Sequence, residues 1–210
     1  RVIRCFPEEL PVPAILAYGY SKSAKIPSVI VDDEISSRDI VRYAIAMGHR
    51  KIGVIGGTEG SIHTQGRLAG YKRALNESGI AYRSDFVKYC NWKRQAAYQN
   101  TDQLLSEGVS VIFCMSDIMA GGVYDRLNEL GIRVGKEIAV LGYDNQELSS
   151  YLSPSLTTAA LPLHRIGYTA ASMLVQRIEK GKDGTRSSSD LEEIKIPCSI
   201  VLRQSVTQWK

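Results

Sequence analysis

Short runs of β-branched and apolar residues alternate along this chain with helix-length segments of 3.6-residue periodicity. That alternation restricts the fold more than any other feature, because strands and helices in repeated βαβα order make a parallel sheet with helices on both faces. The strand-like runs are Pro11–Ala17, Ser28–Val31, Lys51–Ile55, Phe86–Cys90, Val109–Met115, Glu137–Leu141, Leu156–Ala159 and Ile194–Leu202, the last bent or interrupted at Pro197. The helical runs are Glu34–Met47, Thr64–Ser78, Lys93–Glu107, Asp117–Leu130 and a segment from Pro162 to Lys180. Gly48, Gly79, Gly108 and Gly131 stand where a residue in left-handed conformation ends a helix. Val109–Met115 is almost wholly apolar, as a parallel strand covered on both faces must be. Gly181–Asp190 is polar and Ser-rich and reads as a loop.

Composition narrows the classes. With 210 residues and 44% hydrophobic side chains, the chain can bury a substantial core and is not disordered. No run approaches the roughly 20 apolar residues needed to cross a bilayer. The net charge of +4 is spread thinly, so it reads as a solvated surface rather than a nucleic-acid face. Four scattered cysteines and three histidines carry no metal-ligand spacing and no disulfide pattern, so neither metal nor disulfide framework is expected, and a reduced, cytoplasmic setting fits. The chain opens Arg1-Val2-Ile3-Arg4 without Met, which reads as a fragment or a processed product.

In open α/β sheets ligands sit beyond the carboxyl ends of the strands. The candidate loops are therefore residues 32–33, 57–66, 90–92, 115–117 and 143–147. The loop Gly56–His63 is neither a dinucleotide fingerprint nor a phosphate loop, but its small residues leave backbone N–H groups near a helix start, which suits oxygen-rich or anionic ligands. Arg67, in the first turn of that helix, either pairs with an acidic neighbour or forks two ligand oxygens. Trp92 follows a strand and is either a buried edge residue or a platform for a ring-shaped ligand. Ser116 and Asp117 either cap a helix or face a ligand. Asp144 ends an apolar strand and needs a partner, a ligand hydroxyl or Arg67. Asp32 and Asp33 end a strand but could equally begin a helix. No nucleophile–base pair and no nucleophile elbow assembles, so the pattern supports binding rather than catalysis, with no cofactor.

These residues carry a family resemblance. Ala46–Ile55, Arg67-Leu68-Ala69-Gly70-Tyr71, Ser116–Ala120, Gly131–Asn145 and Tyr151–Thr158 resemble, in order, five motifs of the lactose/galactose repressor (LacI/GalR) family, and the likeness runs from about Pro27 to the end of the chain. The resemblance implies a type I periplasmic-binding-protein-like fold: two doubly wound α/β subdomains joined by three crossovers, with a small-molecule effector in the cleft between them. The crossovers would fall near Val31–Asp33, near Ala160–Pro162 and before Glu192. That gives an N-terminal subdomain of residues 1–32 plus 161–190 and a C-terminal one of 33–160 plus 191–210. The N-terminal subdomain looks incomplete, and the helix-turn-helix headpiece that reads operator DNA in the family lies outside these residues. Carried over by position, Arg67 and Asp144 would hold effector oxygens, Trp92 would stack on the effector ring, and Ser116, Ser61 and His63 would complete the site. Ser116 stands where the family has Asn, and Ala160-Leu161 replaces its polar pair before proline, departures that a different effector would require. The resemblance further implies a sugar or sugar derivative as effector, with purines as a minority outcome. It implies a homodimer through helix 117–130 and the segment around Tyr151, and effector-controlled operator binding. The alternative is a periplasmic sugar-binding protein of the same fold.

Overall fold

The computed structural model describes residues 2–3, 10–21, 26–182 and 193–209. They fall into two compact units, Arg1–Asp32 with Pro162–Pro197 and Asp33–Leu161 with Cys198–Lys210.

In the first unit, β1 (Val2–Ile3) pairs in parallel with β3 (Tyr20–Ser21). A second sheet places β4 (Ser28–Val31) between β2 (Leu16–Ala17) and β10 (Glu193–Ile196), all parallel. The strand expected over Pro11–Ala17 contracts to its last two residues. Pro11 and Pro13 have no N–H to donate to a ladder, so pairing begins only beyond them. Helix α6 (Leu163–Lys182) packs on β2 and β4 through buried Ile166 and Ala170.

The second unit is a six-stranded sheet in the order β11-β9-β8-β7-β5-β6. Its strands are β5 (Ile52–Gly56), β6 (Val87–Tyr89), β7 (Val111–Cys114), β8 (Ala139–Asp144), β9 (Thr157–Ala160) and β11 (Ser199–Val201). All pair in parallel except β11, which returns antiparallel along β9. Helices α1 (Asp33–Ala46) and α2 (Ile62–Glu77) pack as one pair, and α3 (Arg94–Ser106) and α4 (Asp117–Glu129) as another. The sheet runs from β5 outward to β6 and then back across to β7, so right-handed crossovers put the two pairs on opposite faces. The strands between them are correspondingly apolar: every residue of β5 and β7 is buried, with Phe113, Ile55 and Ile112 fully enclosed. Burying each such side chain contributes about 1.5–3 kcal/mol. Helix α5 (Leu148–Tyr151), a single turn, was not expected from periodicity.

One expected boundary is displaced. Residues 191–210 are expected in the second unit, but Glu193–Ile196 pairs residue for residue with Ser28–Val31 of the first, and the change of unit comes after Pro197. The physical reason is Pro197 itself. It cannot donate to a ladder, so it splits the apolar run 194–202 into two strands that serve different sheets. Beyond Gly181 and Lys182, the expected Gly181–Asp190 loop lies outside the described residues.

Candidate functional site

The strand order reverses at β5, whose neighbours β6 and β7 are reached in opposite directions. A crevice opens at such a point because the following loops part to either side. Three loops meet there in the second unit: the one after β5 leading into α2, the one after β6 carrying Trp92, and the one after β7 leading into α4.

Arg67 sits at their centre, on the second turn of α2, with only 3% of its side chain exposed. Its Nε donates to Asp33 Oδ1 at 2.7 Å and its Nη1 donates to the Met115 carbonyl oxygen. Nη1 also lies 3.7 Å from Asp144 Oδ1. The guanidinium lies against the Tyr143 ring at 3.6 Å from its centroid, and the Trp92 ring is 5.5 Å away. Burial works against the charge of Arg67, but Asp33, Tyr143 and Asp144 outweigh it and hold the group firmly protonated. Nη2 has no protein partner among the described residues.

Asp33 is the first residue of α1, and it binds three donors. Besides Arg67, His63 Nδ1 lies 2.6 Å from Oδ2 and the Tyr143 hydroxyl donates to Oδ1 at 3.0 Å. Burial raises its pKa, but the His63 hydrogen bond and the Arg67 charge together hold it below the ordinary carboxylate value. Asp144 is different. Burial pushes it up to about 6 against the opposing pull of Arg67 and the Gln146 side chain. Trp92 adopts a left-handed backbone, φ 62°, and its ring lies on Gly57, where any Cβ would come within 2.1 Å of it. Gly57 is therefore the residue that lets the aromatic plane close over the loop after β5.

The six candidate residues divide accordingly. Arg67, Asp144, Trp92 and His63 converge on one cluster. Ser61 precedes the first residue of α2 without capping it through its side chain. Ser116 takes the capping alternative, its Oγ accepting from the Met119 amide at 3.3 Å. For Arg67, the pairing alternative holds, since Asp33 occupies one edge of the fork. The sequence reading placed Asp33 and Tyr143 in candidate loops but gave Asp33 no pairing with Arg67 and Tyr143 no role. The signal was present in a carboxylate opening α1 and an aromatic between Gly142 and Asp144, but only the sheet brings both to Arg67. No group of three or more His, Cys, Asp or Glu side chains among the described residues could hold a metal ion. The described cysteines Cys90, Cys114 and Cys198 are free thiols. A hollow of about 560 Å³ lies at the far end of α4, where Arg133 bonds Glu137, Gln204 bonds Ser155 and Thr207 bonds the Gly135 carbonyl.

Residues 41–206 match the family of periplasmic binding protein-like domains, and the chain belongs to it. Within that family its relatives are regulators of the LacI kind. It is 36% identical over 174 residues to the HTH-type transcriptional repressor PurR of Vibrio atlanticus, covering 82% of this chain and 52% of that protein. It is 32% identical over 198 residues to catabolite control protein A of Priestia megaterium, covering 93% and 58%. The chain thus spans about half the length of the curated relatives it matches. Among solved structures, a LacI family transcriptional regulator from Enterococcus faecium with bound ribose superposes with TM-score 0.78 at 27% identity, covering 94% of this chain and 71% of that one. The transcriptional regulator CelR–cellobiose complex superposes with TM-score 0.77 at 26% identity, covering 88% and 55%. These relatives are transcriptional regulators rather than enzymes, and the transport-protein alternative is not the one they favour. No helix among the described residues is long and apolar enough to cross a membrane.

Proposed function

We propose that this chain is the effector-binding and dimerising domain of a cytoplasmic LacI/GalR-type transcriptional repressor. The effector is a small uncharged ring rich in hydroxyls, a sugar or sugar derivative. The observation that carries the reading is the buried Arg67 guanidinium at the strand ends. It is held in plane by Asp33 and Met115, faced by two aromatic rings, and its Nη2 has no partner among the described residues. Arg67 donates to ligand hydroxyls, Asp144 accepts from them, and Trp92 stacks on the ring. Ser61, His63 and Ser116 border the same loops. With Asp33 and Asp144 already opposing the Arg67 charge, the cluster has little attraction left for an anionic ligand, which narrows the oxygen-rich or anionic range read from the loop. Nothing in the cluster pairs a nucleophile with a base, and the domain acts by binding, not by turnover. A ligand that binds one conformation of the domain better than another changes operator affinity through a DNA-binding headpiece, the two sites sharing a coupling free energy.

Titration calorimetry with ribose, cellobiose and a purine base tests the reading. We expect heat from ribose or cellobiose with the unaltered chain and none with Arg67→Ala, the circular dichroism spectrum being the same for both, whereas heat from the purine base alone overturns the sugar assignment. An Arg67→Ala protein that binds as tightly as the unaltered one sinks it, and so does a folded chain that ignores every probe.

A further inference from the structure

The strand end that presents Asp144 is a strained corner. Asp144 has φ 112° and Asn145 φ 56°, two successive non-glycine residues in backbone conformations that L side chains rarely adopt. Such geometry persists only where the surroundings over-determine it. Here the surroundings are a buried carboxylate–hydroxyl pair that the ligand-binding scheme does not use. Asp117 and Thr158 are both fully enclosed. Asp117 Oδ1 accepts the Thr158 hydroxyl at 2.7 Å, and Asp117 Oδ2 accepts the Gln146 amide at 2.7 Å. The Asn145 amide donates to Thr158 Oγ1 at 3.4 Å. Two successive N–H groups of the corner thus end on one buried pair. Gly142 provides the room, since a Cβ there would lie 2.2 Å from Asp117 Oδ1. On the outer side, Arg203 donates to Asn145 Oδ1 at 2.9 Å and to the Leu156 carbonyl at 2.7 Å.

A carboxylate in the first turn of a helix is ordinarily explained by the helix dipole. That explanation needs neither complete burial nor two oxygens both committed to β8, its following loop and β9. We infer that Asp117 and Thr158 are positioning residues for Asp144: together they hold the Asp144-Asn145 corner in its left-handed backbone, which keeps the Asp144 carboxylate against Arg67. The inference rests on the proposal that Asp144 is a ligand group. Its test, however, is made on the free protein, so its failure and the failure of ligand binding are distinguishable.

Thr158→Val removes the hydroxyl without changing charge, Thr158→Ser keeps it, and Asp117→Asn replaces one of the two acceptor oxygens. Crystal structures and carbon-detected carboxyl titrations are compared with the unaltered chain. We expect φ at 144 to leave the left-handed region in Thr158→Val and Asp117→Asn, and the 3.7 Å separation from Arg67 to open. Burial pushes Asp144 up to about 6 while Arg67 pulls it down, so a carboxylate that leaves this position in Thr158→Val should titrate at a different pH from the unaltered chain. Thr158→Ser should match the unaltered chain in both readouts. A folded Thr158→Val protein that keeps both the corner and the Asp144 titration overturns the inference, whatever its melting temperature, because a role confined to stability leaves those two readouts unmoved.

Discussion

Asp33 shows how one side chain can organise a cluster by accepting from several donors at once. Its two oxygens fix Arg67, His63 and Tyr143, and it neutralises a guanidinium that is 97% enclosed by the strands and rings around it. Removing one member of a buried pair leaves the other charge uncompensated, which typically costs about 3–5 kcal/mol. Asp33→Ala should therefore lose stability of that order in urea denaturation, whereas Tyr143→Phe, which gives up only one donor to Asp33, should lose about 1 kcal/mol. Equal losses for the two would show that the charge of Arg67 is not what Asp33 balances. The candidate residues were legible in the sequence because Trp92 and Asp144 follow or close strands and Arg67 lies early in the helix after β5, positions that periodicity locates well. Asp33 was left undecided because a carboxylate after a strand and a carboxylate opening a helix look identical in one dimension. Here both descriptions apply, β4 ending in one unit and α1 beginning in the other.

At the scale of elements, the long helices and the buried strands β5, β7 and β8 follow the apolar pattern closely, since burial on both faces leaves a continuous signature. The short or late elements do not. The two residues of β2, the single turn of α5 and the antiparallel β11 are decided by which groups remain for them to pair with. Helix pairing was equally invisible, because it depends on small residues whose role appears only in three dimensions. A Cβ at Gly70 would sit 2.1 Å from the Glu34 carbonyl oxygen across the α1–α2 contact, and one at Gly122 would sit 2.1 Å from the Arg94 carbonyl oxygen across α3–α4. Overpacking of this kind costs about 1–3 kcal/mol or more. Gly70→Ala and Gly122→Ala should each lower stability by at least that amount, while Gly60→Ala, with open space around it, should be nearly neutral. Denaturant midpoints measure all three, and a neutral Gly70→Ala would mean that α1 and α2 can part without cost.

For the molecule as a whole, two kinds of titrating group pull stability in opposite directions. Asp144 and Asp117, pushed by burial to about 6 and about 7, bind protons more readily folded than unfolded. Their contribution is complete below the ordinary carboxylate value near 4 and is lost as pH rises to their folded values. Burial lowers the pKa of His49, which stacks on Trp209 at 5.3 Å, so its contribution is complete above 6.5 and is lost as pH falls through its depressed value. Asp144→Asn should accordingly flatten the decline in stability between pH 4 and pH 6, and His49→Gln should flatten the loss below 6.5. Thermal melts across that range decide both, and an unchanged profile in either variant assigns the slope elsewhere. Dimerisation, proposed through α4 and the turn after β8, has a simpler test. Tyr151 is 74% exposed, with Ile118 and Leu130 also exposed on the same segments. Tyr151→Asp should convert a dimer to a monomer in sedimentation equilibrium, and an unaffected dimer would place the interface elsewhere.

The chain has two tryptophans, and they stand in unlike surroundings. Trp209 leans on His49 near the end of the chain, whereas Trp92 shares Arg67 with Tyr143 and closes over Gly57. Replacing Trp209 with phenylalanine would leave one indole as the sole long-wavelength emitter, placed where a ring-shaped ligand would stack. If Trp92 stacks on the ligand as proposed, that indole becomes an optical gauge of occupancy, and compounds could be ranked by quenching alone, with no label attached.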